Sequence, residues 1–139
     1  MKTLIIYSSK TGFTEKYARW LQEDLACDCV EFAQRNTVDL TAYQAVAFGG
    51  GCYVGRIRRL GWFKKQMPRL RGKRAAVFFT GAMPPDASDV RRLERENFQP
   101  EELKFLRPFY LQGGLNYAAM SPLDKLLMAV FRKMLKAHA

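Results

Sequence analysis

The sequence predicts an α/β domain in which a doubly wound parallel sheet carries helices on both faces. Three observations predict this class. Apolar segments of strand length alternate along the chain with segments of helical periodicity. The strand-like segments are largely continuous apolar runs, as expected where helices bury both faces of a sheet. No internal repeat or low-complexity run interrupts the alternation. At 139 residues, the chain is most simply one domain, residues 1–139.

The elements follow in order from periodicity and from turn residues. Strands are predicted at residues 3–8, 27–32, 45–48, 73–80 and 108–112. Helices are predicted at residues 14–26, 56–67, 87–97 and 122–134, with about one helical turn within 36–43. Gly61 should interrupt or delay the second helix, and Pro68 with Gly72 should close it. Ser121 and Pro122 suit the start of the last helix, which either packs on the sheet or lies on a membrane surface.

The first predicted strand runs directly into a loop of hydroxyl side chains and then into a helix. A helix N-terminus has unpartnered N–H groups and partial positive charge, so it attracts anions. Gly12 lets the backbone approach a bound group closely, and the neighbouring hydroxyls add donors. We expect a phosphate to bind at Ser8, Ser9, Lys10, Thr11, Gly12, Phe13 and Thr14. The alternative is a hydroxyl-rich turn that binds nothing.

Two other predicted strands end in similar segments. The third is followed by Gly49, Gly50 and Gly51, and the fourth ends at Thr80 and Gly81. Parallel strands have their carboxyl ends at one edge of the sheet, and ligands bind there where the strand order reverses. The sequence therefore predicts one site, built from three loops.

These loops carry a resemblance to a known family. The stretch Ser9-Lys10-Thr11-Gly12-Phe13-Thr14 matches S/T-x-T-G-x-T, the loop that wraps the FMN phosphate in flavodoxins. The whole chain resembles short-chain flavodoxin-type FMN proteins, and is most similar to the group that includes the flavodoxin-like protoporphyrinogen dehydrogenase of bacterial haem synthesis. That closer resemblance rests on residues 50–57, 113–117 and 124–134. It implies non-covalently bound FMN and a five-stranded parallel sheet of order 2-1-3-4-5.

The resemblance also implies which residues contact the cofactor. Residues 9–14 would hold the phosphate, and the second loop would lie along the flavin through Gly51, Cys52, Tyr53, Val54 and Gly55. Tyr53 stands where flavodoxins often stack an aromatic ring, although it could also be a plain surface tyrosine. The other side of the flavin would be flanked by Thr80, Gly81, Ala82 and Met83. The chain departs from the family in having Met83-Pro84-Pro85 where an aromatic or acidic residue is common.

The charge of the chain is a second departure, because electron-carrying flavodoxins are usually acidic. The formal net charge is +10, and residues 40–85 contain no acidic residue. That acid-free tract holds Arg56, Arg58, Arg59, Lys64, Lys65, Arg69, Arg71, Lys73 and Arg74. We expect an acidic redox partner protein or an anionic membrane surface as partner. No nucleic-acid motif accompanies the charge.

Other function classes find little support. No apolar run approaches the ~20 residues of a membrane span, and the chain enters its first strand without a signal peptide. Cys27, Cys29 and Cys52 lack metal-site spacing, which favours a reducing cytoplasm. Neither paired carboxylates nor a Ser–His–Asp set is visible. The first hypothesis is an FMN redox protein that transfers electrons or oxidises a small substrate. The alternatives are an enzyme resembling protoporphyrinogen dehydrogenase and a non-redox module that binds through its basic surface.

Overall fold

The computed structural model describes residues 2–9, 12–81, 88–112, 129–130 and 132–135. Five parallel strands form the sheet, in the spatial order β2-β1-β3-β5-β6. They are β1 (Thr3–Ser8), β2 (Asp28–Glu31), β3 (Ala45–Tyr53), β5 (Arg74–Gly81) and β6 (Leu106–Gln112). The two-residue strand β4 (Arg56–Ile57) pairs antiparallel with the end of β3. Counting the parallel strands alone, the order is 2-1-3-4-5, so the predicted order and fold class are confirmed.

Helices connect the strands and cover both faces. The α-helices are α1 (Phe13–Leu25), α2 (Leu60–Lys65) and α3 (Ser88–Asn97). Short 3₁₀ helices lie at Phe32–Thr37, Leu40–Ala42, Met67–Leu70 and Glu102–Lys104. Residues 129–130 and 132–135 are helical, as predicted, but most of the predicted last helix lies outside the described residues.

Each face of the sheet has its own apolar core, because successive strand residues point to opposite faces. On one face, Ile5 and Phe78 pack with Tyr17 and Leu21 of α1, and Leu135 joins them. On the other face, the strands pack against α2 and α3. That core includes Leu4, Ile6, Phe48, Val77, Phe79, Leu60, Phe63, Val90 and Leu93. The prediction of helices on both faces is therefore confirmed.

The third strand is longer than predicted. It continues through Gly49, Gly50 and Gly51 to Tyr53, still paired with β5. The reason is packing, because a Cβ on Gly49 would lie 2.1 Å from the ring of Phe78. The glycines are thus strand residues that admit a neighbouring ring, and the prediction that they form a loop is wrong.

The predicted helix at residues 56–67 is also wrong at its start. The chain first turns back on β3, with Arg56 opposite Tyr53 and Ile57 opposite Cys52, and α2 begins only at Leu60. Gly61 lies inside the first turn of α2 and does not interrupt it. A short antiparallel return of two residues has no periodicity that a sequence could reveal.

Candidate functional site

The carboxyl edge of the sheet brings the three predicted loops together. Ser8 at the end of β1 lies opposite Gly50 of β3. The next residue of β3, Gly51, lies opposite Thr80 of β5. The convergence expected from the sequence is therefore present in the structure. Four of the predicted contact residues lie outside the described residues: Lys10, Thr11, Ala82 and Met83.

The first loop ends at the N-terminus of α1. Gly12 occupies the N-cap with φ +92°, a left-handed conformation that favours glycine, and has no side chain to cap the helix. Its own N–H donates to Ser9 Oγ at 2.9 Å. Apart from its chain neighbours, no described residue has an atom within 4 Å of where a Cβ on Gly12 would lie, so these residues leave that side of the helix terminus open. The first-turn N–H groups have no carbonyl one turn earlier, so they are available to an anion in that space.

A buried hydroxyl pair joins the first loop to the third. Thr14 Oγ1 and Thr80 Oγ1 are 2.9 Å apart, and the two residues are 2% and 5% exposed. Each hydroxyl has one hydrogen, and one of the two is used between them. The other remains a donor for a group bound at this edge. Gly51 brings the second loop against this pair, since a Cβ on Gly51 would lie 3.6 Å from Thr80 Oγ1 and 3.7 Å from Thr14 Oγ1.

The second loop is a tight β3–β4 hairpin. Its two turn residues, Val54 and Gly55, have φ +51° and +76°, as in a type I′ turn. Positive φ is rare for a β-branched residue and costs free energy, on the order of 1–2 kcal/mol. Val54 is 83% exposed and Tyr53 is 63% exposed. The hairpin therefore exposes the ring of Tyr53 beside a strained turn, and the role that the resemblance implies for this tyrosine stays a prediction.

Asn97, the last residue of α3, fixes this hairpin and was missed from the sequence. Its Oδ1 accepts the N–H of Ile57 at 3.0 Å, and its Nδ2 donates to the carbonyl of Gly55 at 2.9 Å. The same Nδ2 donates to Leu93 at 2.8 Å within α3. The one available signal was an asparagine at a helix end, which ordinarily indicates a cap rather than a contact 40 residues away.

A cleft of about 340 Å³ lies between the hairpin and α3. Its lining residues are Cys52, Val54, Gly55, Gly81, Asp89, Arg92, Leu93 and Glu96. Arg92 lies 3.0 Å from Asp89 and 3.8 Å from Glu96, so the α3 wall is charged and internally paired. These α3 side chains were not among the predicted site residues, because a polar helix pattern does not show which neighbour it faces.

Cys52 lines the cleft as a neutral thiol. Burial raises its pKa to about 11, so the thiolate is scarce near neutral pH. No cluster of potential metal ligands is found among the described residues. Within that same part of the chain, no helix is long and apolar enough to cross a membrane.

Comparison with known proteins extends these findings. A family model described as a flavodoxin domain matches residues 4–139. The fold is similar to that of oxidised Flavodoxin 2 from Bacillus cereus, with a TM-score of 0.63 and 17% identity over 97% of each chain. It is also similar to an NADPH-quinone reductase from P. pentosaceus, with a TM-score of 0.58 and 13% identity over 100% of each chain. The apo form of an NADH:FMN oxidoreductase gives a TM-score of 0.65 at 14% identity, over 99% of this chain and 92% of that chain. No relative was found among the curated proteins.

Proposed function

The chain belongs to the flavodoxin domain family, and on that premise we propose that it binds FMN non-covalently at the carboxyl edge and transfers electrons through it. One observation carries the proposal: the Thr14–Thr80 hydroxyl pair, 2.9 Å apart, which joins two of the three predicted flavin loops beside an open helix N-terminus. A βα turn with only a structural role would not need a buried donor left over at this edge.

The donors at the edge fit a phosphate. They are the first-turn N–H groups of α1, the Ser9 hydroxyl and the hydrogen left over from the Thr14–Thr80 pair. Gly12 leaves room for the group. These residues would hold the phosphate together with Lys10 and Thr11.

The second and third loops would hold the ring. Residues 51–55 would lie along it with Tyr53 stacked, and Thr80, Gly81, Ala82 and Met83 would flank its other side. When bound, FMN would supply the redox chemistry, and the protein would set its position and electrostatic surroundings. Asn97 would keep the second loop in place through its bonds to Gly55 and Ile57.

A second candidate is the oxidation of a small substrate, as in the protoporphyrinogen-dehydrogenase group that the sequence resembles. The cleft between the hairpin and α3 favours it, because its size is within the range of small-molecule sites. Two of the structural neighbours are named as reductases or oxidoreductases. Anaerobic mixing with protoporphyrinogen IX separates the two functions, since only a dehydrogenase would bleach its flavin with this substrate.

The test of FMN binding compares FMN with riboflavin, which lacks the phosphate. We expect flavin absorption in the purified or FMN-supplemented protein, and much tighter binding of FMN than of riboflavin. Thr14→Val should weaken FMN binding by about 10- to 100-fold, since it removes a hydrogen bond to a charged group, and should leave riboflavin binding unchanged.

Thr3→Val is the matched control, because Thr3 is also a buried threonine but lies at the opposite end of β1. It should leave FMN affinity unaltered. Equal affinities for FMN and riboflavin would overturn the phosphate site, and a protein that takes up no flavin would overturn the whole proposal in favour of a non-redox binding module.

A further inference from the structure

We propose that Arg35, Arg58 and Arg59, the arginine cluster, form the docking point for the carboxylates of an acidic redox partner protein. The cluster adjoins the second flavin loop, because the Arg58 N–H donates to the Gly51 carbonyl at 3.0 Å. The inference rests on the proposed function for the identity of the partner as a redox protein. The binding surface itself follows from the side-chain contacts of Arg35 and Arg59 and from the position of Arg58 beside them in the chain.

Two of the arginines share one aromatic ring. The Arg35 guanidinium carbon lies 4.1 Å from the centre of the Phe32 ring, and that of Arg59 lies 5.0 Å from the same centre. The two guanidinium groups are therefore no more than about 9 Å apart, close enough for their charges to act together. Cation–π contact positions each group over the ring and leaves most of its N–H donors facing outward.

The ring that supports them is anchored in the core. Phe32 packs edge-on against Trp62, with ring centres 5.5 Å apart, and Trp62 in turn lies 6.2 Å from the buried ring of Phe48. Arg35 also lies 6.0 Å from Trp62. The arginines are thus held in place before a partner arrives, which reduces the entropy lost on binding.

The backbone also fixes the cluster. Arg59 has φ +63° at the N-cap of α2, and its carbonyl accepts the Trp62 N–H at 3.1 Å. A left-handed conformation is costly for arginine, so the packing around it holds the residue there. Arg58 adds its positive charge next to Arg59 in the chain, and its buried Nε–H has no hydrogen-bond partner among the described residues.

Within the described part of the chain, none of these three arginines pairs with a carboxylate. Some other surface cations there do pair, such as Arg19 with Glu15 at 3.4 Å and Lys64 with Glu102 at 3.0 Å. The three unneutralised charges create a local positive potential that carboxylates from another molecule would relieve. A partner that exchanges electrons with the flavin must approach the carboxyl edge, and the cluster lies on that approach. This placement favours an acidic protein over a membrane, which could meet the molecule on any face.

The test uses FMN-loaded protein and a fluorescently labelled polyglutamate peptide as the acidic probe. Arg35→Gln with Arg59→Gln should weaken peptide binding about tenfold, and the wild-type affinity should fall as salt rises. The matched control, Arg69→Gln with Arg71→Gln, removes the same charge from exposed residues of the acid-free tract away from the cluster and should bind within about twofold of the wild type.

Equal losses in the two double variants would show that only the net charge matters and would overturn the proposal. Tighter binding to phosphatidylglycerol vesicles than to polyglutamate, lost in the variant that carries Arg35→Gln and Arg59→Gln, would also overturn the proposal. It would identify a membrane as the partner. Flavin content and thermal unfolding are measured first for each variant. If the double variant does not fold, Arg35→Gln and Arg59→Gln are tested separately in the same way. A chain that takes up no FMN refutes the proposed function, whereas a loaded chain that ignores polyglutamate refutes this inference alone.

Discussion

Positive side chains are held differently at the two ends of the parallel strands, the amino edge where the strands begin and the carboxyl edge where they end. At the amino edge, Lys73 Nζ donates to the Thr41 carbonyl at 3.0 Å and also to the Tyr43 carbonyl. Hydrogen bonds from Thr41, and then the charges of Arg69 and Lys73, hold the pKa of Asp39 below its ordinary value. At the carboxyl edge, Arg35 and Arg59 rest on the ring of Phe32 instead. The acid-free tract is continuous in sequence, but the α2 crossover separates cations that bond to the fold from those for which we propose a partner.

Glycine also has a different role at each of the two edges. Gly72 has φ +77° in a turn where a Cβ would meet nothing within 4 Å, so only its backbone conformation needs glycine. Gly49 has ordinary strand geometry, but its missing side chain makes room for the Phe78 ring. The amino edge uses glycine to turn the chain, and the carboxyl edge uses it to bring groups close together.

Replacing the two glycines should give the largest contrast. We expect Gly49→Ala to lower the free energy of unfolding by about 3 kcal/mol or more, because the new methyl group overlaps a buried ring. Gly72→Ala should cost only about 1 kcal/mol of backbone strain. Urea unfolding of both variants checks this. Similar losses would mean that the sheet relaxes around Phe78 and that the distinction between the edges is weaker than the packing indicates.

Removing one side-chain amide at each edge should give the next largest difference in stability. Asn97→Ala removes the partners of Ile57 and Gly55, and should cost about 2 kcal/mol of stability and weaken FMN binding. Gln44 at the amino edge accepts a single exposed bond from the Lys2 N–H, so Gln44→Ala should change stability by less than about 0.5 kcal/mol. Denaturation and FMN titration are the measurements. An Asn97→Ala protein with unchanged FMN affinity would show that the hairpin keeps its shape without the asparagine.

Removing a positive charge should change the midpoint potential of bound FMN at the carboxyl edge but not at the amino edge, and this effect should be smaller than the two above. Reduction adds negative charge to a flavin, and a cation 8–10 Å away stabilises that charge by about 1–2 kcal/mol at an effective dielectric of ~20. Arg58→Gln should therefore lower the potential by tens of millivolts, and Arg56→Gln by less, since Arg56 is exposed. Arg71→Gln should leave it unchanged. Identical potentials in all three variants would assign the arginines of the carboxyl edge to partner binding alone.

The cysteine thiols at the two edges should react equally slowly. Burial raises the pKa of Cys52 to about 11, and burial with the charges of Cys29 and Asp28 raises that of Cys27 to about 11. At pH 8 each should react with iodoacetamide about a hundredfold more slowly than an exposed cysteine. Because folding favours the neutral thiols, the stability they contribute is complete below about pH 9 and is lost as the pH rises through about 11. Rapid labelling of Cys52 in folded protein would mean that the hairpin opens.

The sequence predicted the sheet well because its evidence is local. Apolar runs such as residues 75–79 and the helical spacing in α1 specify strands and helices without reference to other parts of the chain. The convergence of Ser8, Gly51 and Thr80 was predictable as well, since topology brings strand ends together. The contacts of Asn97 and the stacking of Arg59 on Phe32 depend on distant partners, so no local pattern could reveal them.

The identity of the turn residue Val54 should matter differently for stability without flavin and for flavin-dependent turnover. Its left-handed φ of +51° and its 83% exposure mean that the fold gains little from the isopropyl group. Asparagine suits the first position of a type I′ turn before glycine, so Val54→Asn should stabilise the apo-protein. A laboratory screen for heat resistance without flavin would select that change early. A screen for flavin-dependent turnover would retain the valine if its side chain contacts the ring or the partner.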